Sequence, residues 1–143
     1  MRVYTYGMNA KRITHELETQ YPGKKIILLP PDDPKEIICE IDPASGHPQY
    51  NTAIAIIDSS APHFHKVSSE TYKVIRGELN LFLNGKKKVL KNGEEYTIQP
   101  YIIHWAQGNE TWAQAYSAPG WTAEDHILVR NVVKKALKSG KVV

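Results

Sequence analysis

The sequence predicts an all-β protein, an antiparallel β-barrel or jelly roll that carries a short N-terminal helix. After residue 24 the chain consists of short β-rich runs between turn signals, and almost no helical periodicity separates them. At 143 residues, with no linker or internal repeat, we expect one domain over residues 1–143. The predicted strands are Lys25–Leu29, Glu36–Ile41, Tyr50–Ile57, Pro62–Lys66, Thr71–Arg76, Glu78–Leu83, Lys87–Leu90, Glu95–Gln99, His104–Ala106, Thr111–Ser117 and His126–Val129.

The predicted N-terminal helix begins after Asn9, whose side chain suits a helix N-cap. Ile13, Leu17 and Tyr21 recur at four-residue spacing and would form one apolar face, and Pro22 follows them. The helix and the early strands, over residues 9–41, therefore precede the rest of the sheet.

A hairpin is predicted where Asn84-Gly85 separates Glu78–Leu83 from Lys87–Leu90, because this dipeptide favours tight turns. Cys39 is the only cysteine, so the chain can form no internal disulfide. Its apolar neighbours Ile37 and Ile38 predict a buried thiol in a strand rather than a nucleophile.

The formal net charge of +3 is a property of the C-terminal residues 130–143. This basic tail, which is predicted from residue 131 as a short helix or a frayed end, contains no acidic residue. Without its five cations, 13 of the 18 basic residues remain against 15 acidic ones. The sequence also lacks a nucleic-acid-binding motif, so we expect no nucleic-acid partner. The cations of the tail are Arg130, Lys134, Lys135, Lys138 and Lys141.

No stretch of the sequence approaches the ~20 apolar residues of a membrane-spanning helix. The N-terminus also lacks the continuous apolar segment of a secretory signal peptide. We therefore expect a cytoplasmic protein with no membrane partner.

Three histidines and one glutamate form the most informative pattern of the chain. His63 and His65 are two residues apart, so on a β-strand they point to one face, about 6.5–7 Å apart, and can share one ion. Glu70 has the opposite parity, so a turn or bulge at Val67–Ser69 must redirect the chain before it. Together with His104, these side chains offer three imidazoles and a carboxylate to a transition-metal ion.

Two segments resemble the signature motifs of the cupins. The first reads His-x-His-x4-Glu-x6-Gly from His63 to Gly77, and the second runs from Gly93 to His104. The resemblance covers about residues 50–129. It implies a small double-stranded β-helix barrel whose interior metal is bound by the residues that align as His63, His65, Glu70 and His104.

The second motif departs from the usual cupin pattern at Tyr101, where a glycine is normal, and at Gln99, where a proline is normal. Glycine eases a tight turn because it tolerates a positive φ. Tyr101 therefore predicts a different local backbone before His104.

The ligand set restricts the metal to a divalent transition-metal ion, with manganese, iron, nickel, cobalt and zinc all open. Four protein ligands would fill a tetrahedral zinc site. An octahedral ion with the same ligands keeps two positions for water or a bidentate substrate. We expect an octahedral ion if the protein is an enzyme, and zinc or nickel acquired during expression if it is not.

Two classes of function follow. The resemblance implies a metalloenzyme that acts on a small oxygen-rich organic metabolite, because cupins include oxygenases, isomerases, decarboxylases and lyases. The alternative is a non-catalytic, metal-assisted protein that binds a sugar or another small metabolite, since one fold hosts many activities. The resemblance also implies a homodimer, and we expect its interface to cover the strand edge within Lys25–Ile41.

The candidate catalytic residues are Glu70, Tyr72, Asp125 and His126. Tyr72 shares the parity of Glu70 and is predicted to face the barrel interior. Asp125 and His126 follow a loop whose Trp121 is expected to cover the barrel mouth, so either residue is a candidate acid or base. The alternative is a solvated loop whose aspartate caps a turn.

One face of the run Thr111–Ser117 carries Trp112, Gln114 and Tyr116. The sequence does not decide whether this face points into the barrel. Its large side chains could form the wall of a ligand cavity, or they could serve only ordinary core packing.

Overall fold

The computed structural model describes residues 7–139, which form two helices and ten strands. The elements, in chain order, are α1 (Ala10–Gln20), β1 (Ile26–Leu29), β2 (Glu36–Asp42), β3 (Asn51–Ser59), β4 (His63–Phe64), β5 (Ser69–Arg76), β6 (Leu79–Leu83), β7 (Lys86–Leu90), β8 (Glu95–Ile98), β9 (His104–Ala118), β10 (Ile127–Leu128) and α2 (Val129–Ser139). The strands pair antiparallel in one sheet that curls into a half-barrel, which confirms the predicted fold class.

Strand β9 organises the sheet. Its residues 104–107 pair with β4 and β6, and its residues 111–118 pair with β3 and β5. The pairing changes near Gly108, where a Cβ atom would lie 2.7 Å from the carbonyl oxygen of Ile57. Glycine therefore permits the close approach of β3 and β9. The predicted strands His104–Ala106 and Thr111–Ser117 are thus two parts of one long strand.

Helix α1 covers the outer face of the sheet. The Asn9 side chain accepts a hydrogen bond of 3.1 Å from the backbone N–H of Arg12, as expected of the cap. Ile13 and Leu17 are fully buried, in a cluster that also contains the thiol of Cys39. This cluster fixes which face of each neighbouring strand points outward.

A second apolar cluster fills the inner face of the sheet. Ile57 of β3, Tyr72 and Val74 of β5 and Leu81 of β6 are all buried in it. Tyr72 and Val74 therefore face the interior, as their parity with Glu70 predicts.

The face of β9 that carries Trp112 points outward. Trp112 is buried beneath α1, whereas Gln114 and Tyr116 are exposed. Residues of the opposite parity, such as Ala113, belong to the inner cluster. Trp112 thus serves ordinary core packing, and the face does not line the barrel interior.

Helix α2 begins at Val129, which we predicted as the end of the last strand, so β10 is only two residues long. The helical alternative for the tail is correct up to Ser139, and Lys141 lies outside the described residues. Within residues 7–139, no helix is long and apolar enough to cross a membrane.

Candidate metal centre

Four side chains converge inside the half-barrel, and we call them the four-residue centre: His63, His65, Glu70 and His104. One possible ligand atom of each lies within 4.8 Å of the others, and all four residues are buried. They come from different elements: β4 provides His63, β5 provides Glu70 and β9 provides His104, while His65 lies in the turn after β4. His63 and His104 are direct cross-strand partners.

Backbone carbonyls orient two of the imidazoles. Nδ1 of His63 lies 2.8 Å from the carbonyl oxygen of Ala61, and Nδ1 of His104 lies 2.9 Å from that of Ile102. In His63 the ring nitrogen that faces the carbonyl carries the proton, so Nε2 keeps its lone pair. In His104, Nε2 faces a carboxylate oxygen of Glu70 at 3.2 Å and donates a hydrogen bond to it, so a metal ion that binds this nitrogen replaces the proton.

His65 indicates that the centre fits a metal ion. Its side chain is only 3% exposed, yet neither ring nitrogen has a hydrogen-bond partner among the described residues. A buried polar group without a partner is costly, and a bound cation would satisfy one of these nitrogens. Three imidazoles and one carboxylate also form a donor set typical of a transition-metal site.

The protonation states of the centre suit metal binding. Burial lowers the pKa of His63 to about 3, with a further contribution from His104, so its imidazole is neutral at pH 7. Burial alone would raise the pKa of Glu70, but the hydrogen bond and the nearby charge of His104 lower it to about 2. Glu70 is therefore a carboxylate, the form that binds a cation.

Asp125 fastens the turn between β4 and β5. Its buried carboxylate accepts hydrogen bonds from the backbone N–H groups of Lys66 (2.7 Å), Val67 (3.0 Å) and Ser68 (2.9 Å). Burial opposes the ionised form, but these bonds prevail and the pKa of Asp125 is lowered. The turn redirects the chain between His65 and Glu70, so the two side chains point into the same interior although their strand parity is opposite. Asp125 thus caps a turn, as one of our alternatives proposed, although it is buried rather than solvated.

His126 lies against the four-residue centre without joining its set of ligand atoms. Its ring centroid is 4.4 Å from that of His63 and 5.7 Å from that of His65. Burial lowers its pKa, so the imidazole tends to be neutral. The Trp121 ring lies 5.8 Å from His126, so this tryptophan covers the histidine from the loop side.

Tyr72 and Glu36 add polar groups to the inner face. Burial, together with the charge of Glu70, raises the pKa of Tyr72 well above 10, so its hydroxyl keeps its proton. Glu36 lies on β2 opposite Ile57 of the inner cluster, and burial, assisted by the charge of Glu70, raises its pKa to about 8. Both side chains therefore present neutral hydrogen-bond donors at pH 7.

Sequence reasoning missed Glu36 because it lies outside both motifs. A signal was nevertheless present, since Ile37 and Cys39 identify one apolar face of this strand. The alternation of a β-strand then places Glu36 and Ile38 on the opposite face, toward the interior.

The backbone at Tyr101 differs from our prediction. Tyr101 has a φ of +69°, so it keeps the left-handed conformation that glycine usually supplies. Its N–H donates a 2.6 Å hydrogen bond to the carbonyl oxygen of His65, and its ring stacks on Phe64. The left-handed conformation costs a residue with a Cβ about 1–2 kcal/mol, and the hydrogen bond to His65 and the stacking on Phe64 help to offset this cost. The chain can therefore reach His104 by the usual path without a glycine.

Solved structures of similar fold include Pac13 from Streptomyces, described as a nucleoside dehydratase and determined with uridine. Its uridine complex superposes with a TM-score of 0.67 at 16% identity, over 77% of this chain and 88% of that one. KdgF from Halomonas sp. gives a TM-score of 0.58 at 13% identity, over 85% of this chain and 98% of the other. A cupin-like protein of Thermotoga maritima gives 0.54 at 17% identity, over 59% and 68%. At these identities the likeness establishes the fold, which is that of the cupins.

A relative by sequence is an uncharacterized protein of Aquifex aeolicus, 28% identical over 78 residues. The match covers 53% of this chain and 64% of the length of that relative. No protein-family model matches the chain.

Proposed function

We propose that this cupin-fold protein is a mononuclear metalloenzyme that acts on a small, oxygen-rich organic metabolite. The observation that carries the proposal is the convergence of four buried ligand-type side chains within 4.8 Å, one of which, His65, has two ring nitrogens that form no hydrogen bond with any residue between 7 and 139. Arrangements that cost stability in this way are typical of functional sites.

In this proposal the four-residue centre holds one divalent ion, with manganese, iron, cobalt and nickel favoured because an octahedral ion keeps two positions for a ligand. When bound, such an ion would supply a Lewis acid for a carbonyl or enediolate oxygen, or a site for dioxygen beside a chelating substrate. The protein contributes the orientation of the ligand side chains through Ala61, Ile102 and Asp125.

In this proposal Tyr72, His126 and the apolar inner cluster assist the reaction of a substrate at the centre. The protonated hydroxyl of Tyr72 can orient the carboxylate of Glu70 by a hydrogen bond, and the neutral imidazole of His126 can accept a proton or pass one on. The apolar inner cluster limits the water around the reacting atoms. Oxygenase, isomerase, decarboxylase and lyase reactions all use these elements, and the dehydratase Pac13 shows that a protein of this fold can bind a polyhydroxylated molecule.

Elemental analysis of the purified protein tests the metal. We expect about one transition-metal ion per chain in the wild type, and a clear loss of metal in His63→Ala, His65→Ala and His104→Ala. His15→Ala serves as the control, because this histidine lies on α1, away from the four-residue centre. A metal-free wild type, even after incubation with each candidate ion, would contradict the proposal. A metabolite that raises the melting temperature only with metal, without turnover, would favour the non-catalytic alternative.

A further inference from the structure

A cavity of about 510 Å³ lies outside the four-residue centre, where three loops meet. The loops are the segment between β2 and β3, the turn between β4 and β5, and the segment between β9 and β10. None of its described lining residues is a candidate metal ligand, and its volume is in the range of small-molecule sites. We call this space the loop cavity, and its lining includes Ala44, Pro48, Val67, Pro119, Trp121 and Asp125.

Hydrogen bonds between the loops fix the walls of the loop cavity. The hydroxyl of Ser68 donates a 2.7 Å bond to the carbonyl oxygen of Pro119. The N–H of Gly120 donates a 2.8 Å bond to the carbonyl oxygen of Pro48. A Cβ at Gly120 would lie 2.5 Å from that of Ala44, so the glycine allows these two loops to meet. The walls are therefore formed before a ligand arrives, which lowers the entropic cost of binding.

The lining of the loop cavity favours an uncharged, largely apolar ligand. Trp121 and Val67 are 42% and 61% exposed, although both are large apolar side chains. Of the described lining residues only Asp125 carries a charge, and its carboxylate already accepts hydrogen bonds from the N–H groups of the turn. Because these residues include no lysine or arginine, an anionic ligand would meet a carboxylate without a balancing cation. A planar uncharged ring, in contrast, can stack on the exposed part of the Trp121 ring.

We propose that the loop cavity binds a small molecule through an uncharged aromatic ring that stacks on Trp121. The site does not depend on the proposed metal chemistry, but it adjoins the four-residue centre. The Trp121 ring lies 5.8 Å from that of His126, and Oδ2 of Asp125 lies 3.9 Å from Nδ1 of His65. Since Val67 also lines the cavity, a ligand there contacts the turn that positions His65.

The test is calorimetric titration of the purified protein with 2-naphthol, an uncharged aromatic probe. We expect saturable binding, and Trp121→Ala should weaken it about tenfold or more, as the loss of aromatic stacking does. Trp121→Phe keeps a ring and should bind within a few-fold of the wild type. Tyr116→Ala is the matched control, because Tyr116 is similarly exposed, at 41%, but does not line the loop cavity.

A second variant and a second probe locate the site and test its charge preference. Val67→Ser should weaken binding about threefold or more, because methyl groups leave the wall that the turn provides. The anion 2-naphthoate has the same rings and should bind more weakly than 2-naphthol. The inference is overturned if the wild type shows no saturable binding, if Trp121→Ala or Val67→Ser binds 2-naphthol as tightly as the wild type, or if 2-naphthoate binds as tightly as 2-naphthol.

Discussion

The turn held by Asp125 allows a quantitative prediction. Asp125→Ala would remove the acceptor for the N–H groups of Lys66, Val67 and Ser68. A buried donor left without a partner costs about 1–3 kcal/mol. The bond from Ser68 is buried, but the other two are only partly so, and water can reach those donors. Three fully buried donors would together cost about 3–9 kcal/mol. Because water can reach two of them, we expect the free energy of unfolding to fall by about 3 kcal/mol, at the low end of this range.

This loss should depend on pH. The folded state lowers the pKa of Asp125 below its ordinary value of 3.8, so the carboxylate stabilises the protein above that pH. The contribution disappears as the pH falls through the folded pKa. The difference between the wild type and the variant should therefore be full at neutral pH and shrink in acid. Metal affinity should also fall, by roughly tenfold, because the turn sets the positions of His65 and Glu70.

Urea denaturation of the metal-free protein at neutral and acidic pH, followed by metal titration at neutral pH, measures these effects. Glu124→Ala is the matched control, because it removes an exposed carboxylate from the same loop. The reasoning fails if Asp125→Ala unfolds within about 0.5 kcal/mol of Glu124→Ala at neutral pH, a difference typical of surface substitutions. Unchanged metal affinity in an Asp125→Ala protein that is destabilised would refute only the link to the metal centre.

Three further predictions follow from other parts of the molecule. Glu70→Gln should retain more metal than the histidine variants, since an amide oxygen can still bind the ion. It should nevertheless change turnover, because it removes the only negative charge of the four-residue centre. Unchanged activity would refute the role of Glu70 in tuning the metal. Relative to Glu36→Gln, the metal-free wild type should lose a few kcal/mol of stability as the pH rises from about 4.5 to 8, because the pKa of Glu36 is raised on folding. Urea titrations of both proteins measure this difference, in which the opposite contributions of His63 and His126 cancel. The edge strand within Lys25–Ile41 should form a homodimer interface, and a monomer at micromolar concentration in sedimentation experiments would exclude it.

Local patterns in the sequence were sufficient to predict most of the fold. The Asn9 cap, the hairpin at Asn84-Gly85 and the parity of Tyr72 all depend on neighbouring residues, and each is found in the structure. Periodicity could not reveal that β9 is one continuous strand, because Gly108 resembles a break in the sequence. The crowding of this position by the Thr111 side chain and by the carbonyl oxygen of Ile57 in β3 explains why a glycine lies in the middle of a strand.

The convergence of the four-residue centre was predicted, but the groups that support it were not. The contact of Asp125 with the turn joins residues 57 to 59 positions apart, a separation that no local pattern encodes. Glu36 escaped notice for a similar reason, because its significance depends on the charge of Glu70 across the interior. The left-handed backbone at Tyr101 was mispredicted because it depends on contacts with His65 and Phe64, which lie about 36 positions earlier in the chain.

Because β9 is long, it links the centre to the helix-covered side of the protein. His104 is the first residue of the strand, and Trp112, eight positions later, is locked beneath α1. Opening either end of β9 would strain its hydrogen bonds with four other strands, which are β3, β4, β5 and β6. An ion held by His104 would therefore slow amide hydrogen exchange well beyond its immediate neighbours, and would turn a local binding event into protection of the whole curled sheet.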